Sequence, residues 1–142
     1  MIVSNVSASV IMHVSFVNPE TVHQPTGYTH VVSVEGPGKI LYISGQIARN
    51  QEGEIVGVGD LEAQTRQVYE NLSSVLKTQG ATLADVVKQN VFMTSLDQIE
   101  KFRKVRGEYM PKDRLPATTL VGVTGLAMKE LLIEIEAVAL LQ

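Results

Sequence analysis

The hydropathy pattern of the sequence predicts an α+β domain, with helices gathered on one face of a mixed sheet. Short runs in which apolar and polar residues alternate predict strands, and two longer runs with apolar residues at helical spacing predict helices. These segments follow one another in the order β-β-β-α-β-α-β-β. At 142 residues the chain has the length of one domain, so we expect a single domain over residues 1–142, with residues 1–13 as an N-terminal extension.

The first part of the chain is predicted to be mainly strand. The apolar residues before Phe16 suggest an extra or extended first strand. Residues 28–34 alternate, and a second run over 40–47 follows the turn sequence of 35–39, which is the pattern of a β-hairpin. A further short strand is expected over 54–58.

Two helices are predicted in the middle of the chain, with a strand between them. Asp60 is a suitable N-cap for the first helix, and Gly80 is a suitable C-terminal stop. The intervening strand is expected over 85–94. Ser95 and Gln98 have the spacing of a capping box, which predicts that the second helix starts there.

The C-terminal run predicts a last strand with two largely apolar faces. Side chains alternate along a strand, and one face carries only apolar residues, namely Leu131, Ile133, Ile135, Ala137, Ala139 and Leu141. The other face holds Glu134 and Glu136 among Leu132, Val138 and Leu140. A strand that is apolar on both sides needs cover on both sides, so we expect a second subunit on the glutamate face. Buried carboxylates are costly without partners, so both glutamates require an explanation.

Composition narrows the classes of function. The absence of cysteine excludes thiolate chemistry, and the three histidines have no metal-ligand spacing, so no metal or other cofactor is predicted. The net charge is −3, and the basic residues over 101–106 are interleaved with glutamates. We interpret them as a solvated helix face, which makes nucleic acid an unlikely partner. Without a long apolar run or a signal-peptide pattern, we expect a cytoplasmic protein with no membrane partner.

Three motifs occur together in a recognisable order. They are Gly27-Tyr28 followed by Ile-Ser-Gly-Gln over 43–46, then Asp-Val-Val-Lys over 85–88, then Pro-Ala-Thr over 116–118 followed by Ile-Glu-Ile-Glu-Ala over 133–137. This pattern resembles the reactive-intermediate deaminase family, of RidA or YjgF type, also called liver perchloric-acid-soluble protein. The resemblance implies a chorismate-mutase-like α+β fold and a barrel-like homotrimer with clefts between subunits.

The resemblance also implies roles for individual residues. Glu134 corresponds to the carboxylate that handles water, Tyr28 to an aromatic wall, and Ser44 and Gly45 to backbone donors for the substrate. Thr118 stands where deaminase members have an arginine that binds the substrate carboxylate, and a threonine cannot form that bidentate pair.

Two further positions depend on the same comparison. Leu120 stands where a cysteine is common in the family. Arg114, four residues before Thr118, is a candidate replacement for the missing arginine. The alternative is that Arg114 pairs with Asp113 or with a neighbouring subunit.

Three functions stay open at this point. The first is hydrolysis of an imine, enamine or related small C=N metabolite, with 2-imino-acid deamination in doubt because of Thr118. The second is a trimer that binds a small metabolite without converting it. The third, RNA cleavage or translation inhibition, is disfavoured by the acidic charge balance.

Overall fold

The computed structural model describes residues 11–142 and contains the predicted order of elements. The elements are β1 (His13–Val17), β2 (Val31–Glu35), β3 (Lys39–Ile47), α1 (Leu61–Lys77), β4 (Val86–Met93), α2 (Ile99–Tyr109), β5 (Ala117–Gly122) and β6 (Ile133–Leu141). Most of the expected N-terminal extension, residues 1–10, lies outside the described part. Over residues 11–142, neither helix is long and apolar enough to cross a membrane.

The main sheet has the strand order β3-β6-β4-β5. β6 is antiparallel to both of its neighbours, whereas β5 runs parallel to β4. β5 and β6 are consecutive in the chain, yet β4 lies between them. The last strand is therefore central in the sheet, and β5 is an edge strand.

The predicted hairpin of β2 and β3 is wrong, because β2 pairs with β1 in a separate antiparallel sheet. The turn between β2 and β3 packs tightly against the N-terminal segment. Gly36 has φ +95°, and an added Cβ there would lie 2.9 Å from the carbonyl oxygen of Ile11. In the same region, all five residues of β2 pair with β1.

The strand expected over 54–58 is reduced to one isolated bridge between Arg49 and Ile55. Two backbone hydrogen bonds, from Val56 to Ala48 and from Asn50 to Glu54, join the segments, and side chains satisfy further backbone groups. The Oδ1 atom of Asn50 accepts from the backbone N–H of Glu54 at 2.9 Å, and Arg49 Nε donates to the carbonyl of Gly53 at 2.9 Å.

The first helix begins as predicted, and the second does not. Asp60 caps α1, since its Oδ1 accepts from the N–H of Ala63 at 3.1 Å. The capping box predicted for α2 is absent: the helix starts at Ile99, and Gln98 makes no side-chain cap. Ser95 instead accepts from the N–H of Asp97 at 3.2 Å, so its hydroxyl closes a local turn before the helix.

Both helices cover one face of the main sheet, and the hydrophobic core lies between the helices and that face. β6 contributes its predicted apolar face, of which Ile133, Ile135 and Ala139 are fully buried. Full burial of a side chain the size of isoleucine, as at Ile133 and Ile135, stabilises the fold by about 1.5–3 kcal/mol. No helix of the described chain covers the opposite face, where Tyr42 is 81% and Ile40 52% exposed. We call this surface the open face.

Candidate functional site

Glu134 lies on the open face of β6, at the point where β3 is irregular. Its neighbours along the strand, Ile133 and Ile135, point into the core. The pairing of β3 with β6 shifts register between Ile43 and Gln46, so the two residues between them, Ser44 and Gly45, leave the regular ladder. Such a bulge turns backbone groups out of the sheet.

The side chain of Glu134 rests directly on Gly45. A Cβ added at Gly45 would lie 2.8 Å from both Cδ and Oε1 of Glu134, so only glycine leaves space for the carboxylate in this position. Within residues 11–142, no protein group donates a hydrogen bond to Glu134. The structure therefore brings together three predicted site residues, and it leaves the carboxylate available for water or a ligand.

Glu136 lies two residues further along the same face and has a different environment. Its Oε1 accepts from Nδ2 of Asn90 at 2.8 Å. It also lines a shallow cavity of about 290 Å³ together with Tyr42, Ser44 and Lys88. Because a neighbouring strand already holds its carboxylate, Glu136 has the environment of a structural residue.

Thr118 lies on the edge strand β5, and its hydroxyl points toward the helices. Thr118 Oγ1 accepts from Nε2 of the buried Gln89 at 3.1 Å and donates to the carbonyl of Pro116 at 3.2 Å. Gln89 in turn accepts from the hydroxyl of Tyr69 at 3.3 Å. Burial raises the pKa of Tyr69, so this phenol remains a donor. The Thr118 hydroxyl is thus used inside the fold.

Thr118 and Glu134 are separated within one chain. Thr118 pairs with Gln89 of β4, whereas Glu134 pairs with Phe92 of the same strand. That offset of three residues corresponds to about 10 Å along the strand, and the two side chains point to opposite faces of the sheet.

Tyr28 is held near the beginning of β5. Its neighbour Thr29 donates from its backbone N–H to the carbonyl of Pro116 at 3.1 Å and from its hydroxyl to the carbonyl of Leu115 at 2.6 Å. The ring of Tyr28 packs edge to face against His30, with centroids 5.3 Å apart. Tyr28 therefore lies near Thr118, at the beginning of β5.

Arg114 lies away from Glu134. Its Nε donates to the carbonyl of Ala84 at 3.1 Å, and its guanidinium carbon lies 5.2 Å from the ring centroid of Phe16. Ala84 lies just before the start of β4, whereas Glu134 pairs with Phe92, near the end of the same strand. Within one chain, the structure does not bring Arg114 together with Glu134.

Arg106 is a cation that the sequence analysis did not single out. Its guanidinium packs over the ring of Phe102, 5.6 Å from the centroid, and lies against Gly27 so closely that an added Cβ would overlap it. Burial lowers the pKa of Arg106, but an arginine side chain stays protonated in proteins. The available signal was spacing, since position 106 follows Phe102 by four residues on the apolar side of α2.

The described residues 11–142 contain no group of three histidine, aspartate or glutamate side chains that could hold a metal ion.

Comparison with known proteins places this chain and its fold in a family. A family model described as Endoribonuclease L-PSP matches residues 20–141. The chain belongs to this family, also known as Rid or YjgF-type. A RutC family protein from Pyrococcus abyssi is 38% identical over 122 residues, which cover 84% of this chain and 91% of that protein.

Solved structures of Rid proteins have the same fold. A member of the conserved Rid protein family from Yersinia pestis superposes with a TM-score of 0.83 at 41% identity, covering 90% of this chain and 98% of that one. RidA from an Antarctic Psychrobacter superposes with a TM-score of 0.66 at 30% identity, covering 80% and 88% respectively. Membership in the Rid family supports a small-molecule role, either deaminase-like or binding.

Proposed function

We propose that this Rid protein hydrolyses a small imine or enamine metabolite, without a cofactor, in clefts between the subunits of a homotrimer. The observation that carries the proposal is the carboxylate of Glu134, which rests on Gly45 at the β3 bulge and accepts no hydrogen bond from the described protein groups. A carboxylate in this position is available to orient and deprotonate a water molecule.

The reaction requires one water and two proton transfers. Glu134 takes a proton as the water oxygen bonds to the imine carbon, and the electrons of the C=N π bond move to nitrogen. Glu134 returns this proton to the nitrogen, which gives a carbinolamine. The remaining hydroxyl proton then moves to the nitrogen as well, so that the C–N bond breaks and ammonia leaves as the carbonyl forms. The backbone at Ser44 and Gly45, released from the regular ladder, supplies polar groups that hold the reacting atoms.

The separation of the site residues supports a cleft built by two chains. Glu134 and Gly45 lie on the open face, whereas Tyr28 and Thr118 lie near the β5 edge of the same chain. A second subunit packed on the open face would bring its own β5 edge toward Glu134. Exposed Tyr42 and Ile40 on that face favour such cover, since large apolar side chains are commonly buried in interfaces.

Thr118 argues against the usual recognition of a 2-imino acid at that position. Its hydroxyl carries no charge and is engaged with Gln89 and Pro116. Charge-assisted hydrogen bonds contribute about 1.5–3 kcal/mol each, so loss of an arginine clamp would reduce affinity or rate on the order of 10²–10³-fold. The substrate is therefore neutral, differently shaped, or held by another group.

A second candidate is a trimer that binds a small metabolite without converting it. The replacement of two family positions, by Thr118 and Leu120, favours this candidate. Saturable binding of a metabolite with no release of ammonia would support it, and turnover at ordinary enzyme rates would contradict it. RNA cleavage ranks third: α2 carries the densest basic stretch, and two of its cations form ion pairs, Arg103 with Glu100 and Lys104 with Glu62.

The first test replaces Glu134 with glutamine and measures ammonia release from a panel of freshly generated imines, including 2-iminopropanoate. We expect Glu134→Gln to lower kcat by about 100-fold or more, because the amide cannot accept the water proton. Its mass in solution and thermal stability should match those of the native protein.

Glu136→Gln is the matched control, since the amide oxygen still accepts from Asn90. We expect this variant to retain most of the native rate. Native turnover in Glu134→Gln would exclude the proposed mechanism.

A further inference from the structure

Arg106 is the one half-buried cation of α2 within residues 11–142, and it forms no ion pair with a described carboxylate. Arg103 pairs with Glu100, and Lys104 lies 3.3 Å from Glu62, both on the solvent side of the helix. Arg106 is half-buried, and no ion pair or side-chain hydrogen bond neutralises it within residues 11–142. Its guanidinium is therefore available to an external anion, which would form charge-assisted hydrogen bonds with it.

The guanidinium of Arg106 is also fixed in position before any ligand binds. The ring of Phe102 supports one side, and the backbone of Gly27, at φ +80°, contacts it closely. No fully buried nitrogen or oxygen in the described side chains lacks a hydrogen-bond partner, so the unbonded nitrogens of Arg106 retain access to solvent. A cation fixed in this way loses little conformational entropy when it binds an anion.

The location of Arg106 connects it with the Tyr28 and Thr118 end of the proposed cleft. The segment Gly27–Thr29 contacts Arg106 at its first residue and hydrogen-bonds to Pro116 at its last. On the inner side, Arg106 is close enough to Tyr69 for its charge to lower the pKa of that phenol, against the larger effect of burial. Tyr69 leads through Gln89 to the hydroxyl of Thr118.

We propose that Arg106 binds the carboxylate of the ligand beside Tyr28. The carboxylate-binding cation then comes from α2, and not from position 118 on β5. The ligand class is then a small carboxylate-bearing carbonyl or imine compound, bound with its anionic end displaced from Thr118 toward α2. This inference rests on the proposed function for the position of the cleft. It makes Arg106 a specificity-determining residue that touches the ligand but not the reacting C=N bond.

The test compares a charged ligand with an uncharged one of similar shape. The probes are 2-oxobutanoate and butanone, titrated into the full-length protein at low salt and followed by NMR chemical shifts. We expect the native protein to bind 2-oxobutanoate more tightly than butanone. Arg106→Gln should raise the Kd for 2-oxobutanoate by about 10-fold to 100-fold, the effect of losing charge-assisted hydrogen bonds. The Kd for butanone should be unchanged.

Two further variants separate binding from packing. Arg106→Lys keeps the charge without the planar fork and should recover part of the affinity for 2-oxobutanoate. Lys101→Gln removes one charge from the same helix at an exposed position and should leave both Kd values unchanged.

Three results would overturn the inference. They are a native Kd for 2-oxobutanoate in Arg106→Gln, equal weakening of both probes together with a lower Tm, or no preference of the native protein for the charged probe. Because no turnover is needed, these outcomes are independent of the Glu134→Gln assay that tests the proposed reaction.

Discussion

At the scale of single residues, Gly45 and Glu134 act as a pair whose geometry leaves no space for a larger side chain at position 45. The β3 bulge places the glycine under the carboxylate, and the nearest atoms to an added Cβ are Cδ, Oε1 and Cγ of Glu134. These atoms are the mobile end of a side chain, so the fold can adapt to a methyl group. The position of the carboxylate cannot stay the same.

Gly45→Ala is therefore expected to affect activity far more than stability. Displacing a catalytic group by about 1 Å can cost on the order of 10²-fold in rate, so we expect ammonia release to fall about 10-fold to 100-fold. The free energy of unfolding should change by less than about 1 kcal/mol, as is usual when only flexible atoms move. Gly125→Ala, where an added Cβ meets nothing within 4 Å, is the control. Native rates in Gly45→Ala would show that the observed placement of Glu134 is not needed.

At the scale of elements, one buried glutamine joins α1 to the two loops that flank the site. Gln64 is fully buried, and its Nε2 donates to the carbonyls of Gly57 at 3.1 Å and Glu130 at 2.9 Å. Its Oε1 accepts from the N–H of Leu132 at 2.8 Å, immediately before β6. The start of the glutamate-bearing strand is thus held against the helix by a side chain.

Gln64→Leu should destabilise the protein, because an apolar side chain of similar size leaves the carbonyl of Glu130 and the N–H of Leu132 unsatisfied. The carbonyl of Gly57, in contrast, still accepts from the N–H of Asp60. Each buried unsatisfied group costs about 1–3 kcal/mol, so we expect a loss of roughly 2 kcal/mol or more. Urea unfolding at matched protein concentration should show a lower midpoint with an unchanged m-value. The control is Gln67→Leu on the same helix, since Gln67 bonds only to the side chain of Asn71. Equal midpoints for the two variants would contradict the role assigned to Gln64.

At the scale of the whole molecule, the open face of the sheet determines whether a complete cleft can form. Tyr42 projects from β3 with 81% of its surface exposed, and the half-buried Val138 is its neighbour on β6. Glu134 and Glu136 lie on the same face. In the proposed trimer, cover by a second chain completes both the core of the assembly and the site.

Tyr42→Glu should prevent assembly, because a carboxylate buried without a partner costs several kcal/mol. We expect analytical ultracentrifugation to give the mass of three 15.5 kDa chains for the native protein and of one chain for the variant. Ammonia release should be lost together with the trimer. Tyr42→Phe, which keeps the apolar ring, should remain trimeric and active. A native mass for Tyr42→Glu would exclude the open face as the subunit interface.

Local patterns in the sequence were sufficient to predict the order of elements and the buried face of β6. Both depend on periodicity within a few residues, and tertiary contacts did not override it. The N-cap at Asp60 was predictable for the same reason. The capping box at Ser95 and Gln98 failed because a competing local hydrogen bond closed a turn instead.

Within one chain, the structure places the predicted site residues in two groups. Glu134, Ser44 and Gly45 lie on β3 and β6, while Tyr28 and Thr118 form a separate group near β5. The roles assigned to these residues stay predictions. The basic run of α2 was interpreted as a solvated helix face, although its last arginine is half-buried. The spacing of Arg106 from Phe102 was a local signal for this burial, whereas the contact with Gly27 depends on tertiary packing.

By itself, the sequence determined the α+β class, the element order and the polar residues placed in the last strand. The tertiary structure decided which strands are neighbours, that the Thr118 hydroxyl points into the fold, and that Arg106 meets Gly27. The physical reason is how far apart in the sequence the interacting residues lie. Periodicity and capping depend on neighbours within one or two turns, whereas strand order and side-chain contacts depend on which distant segments pack together most favourably.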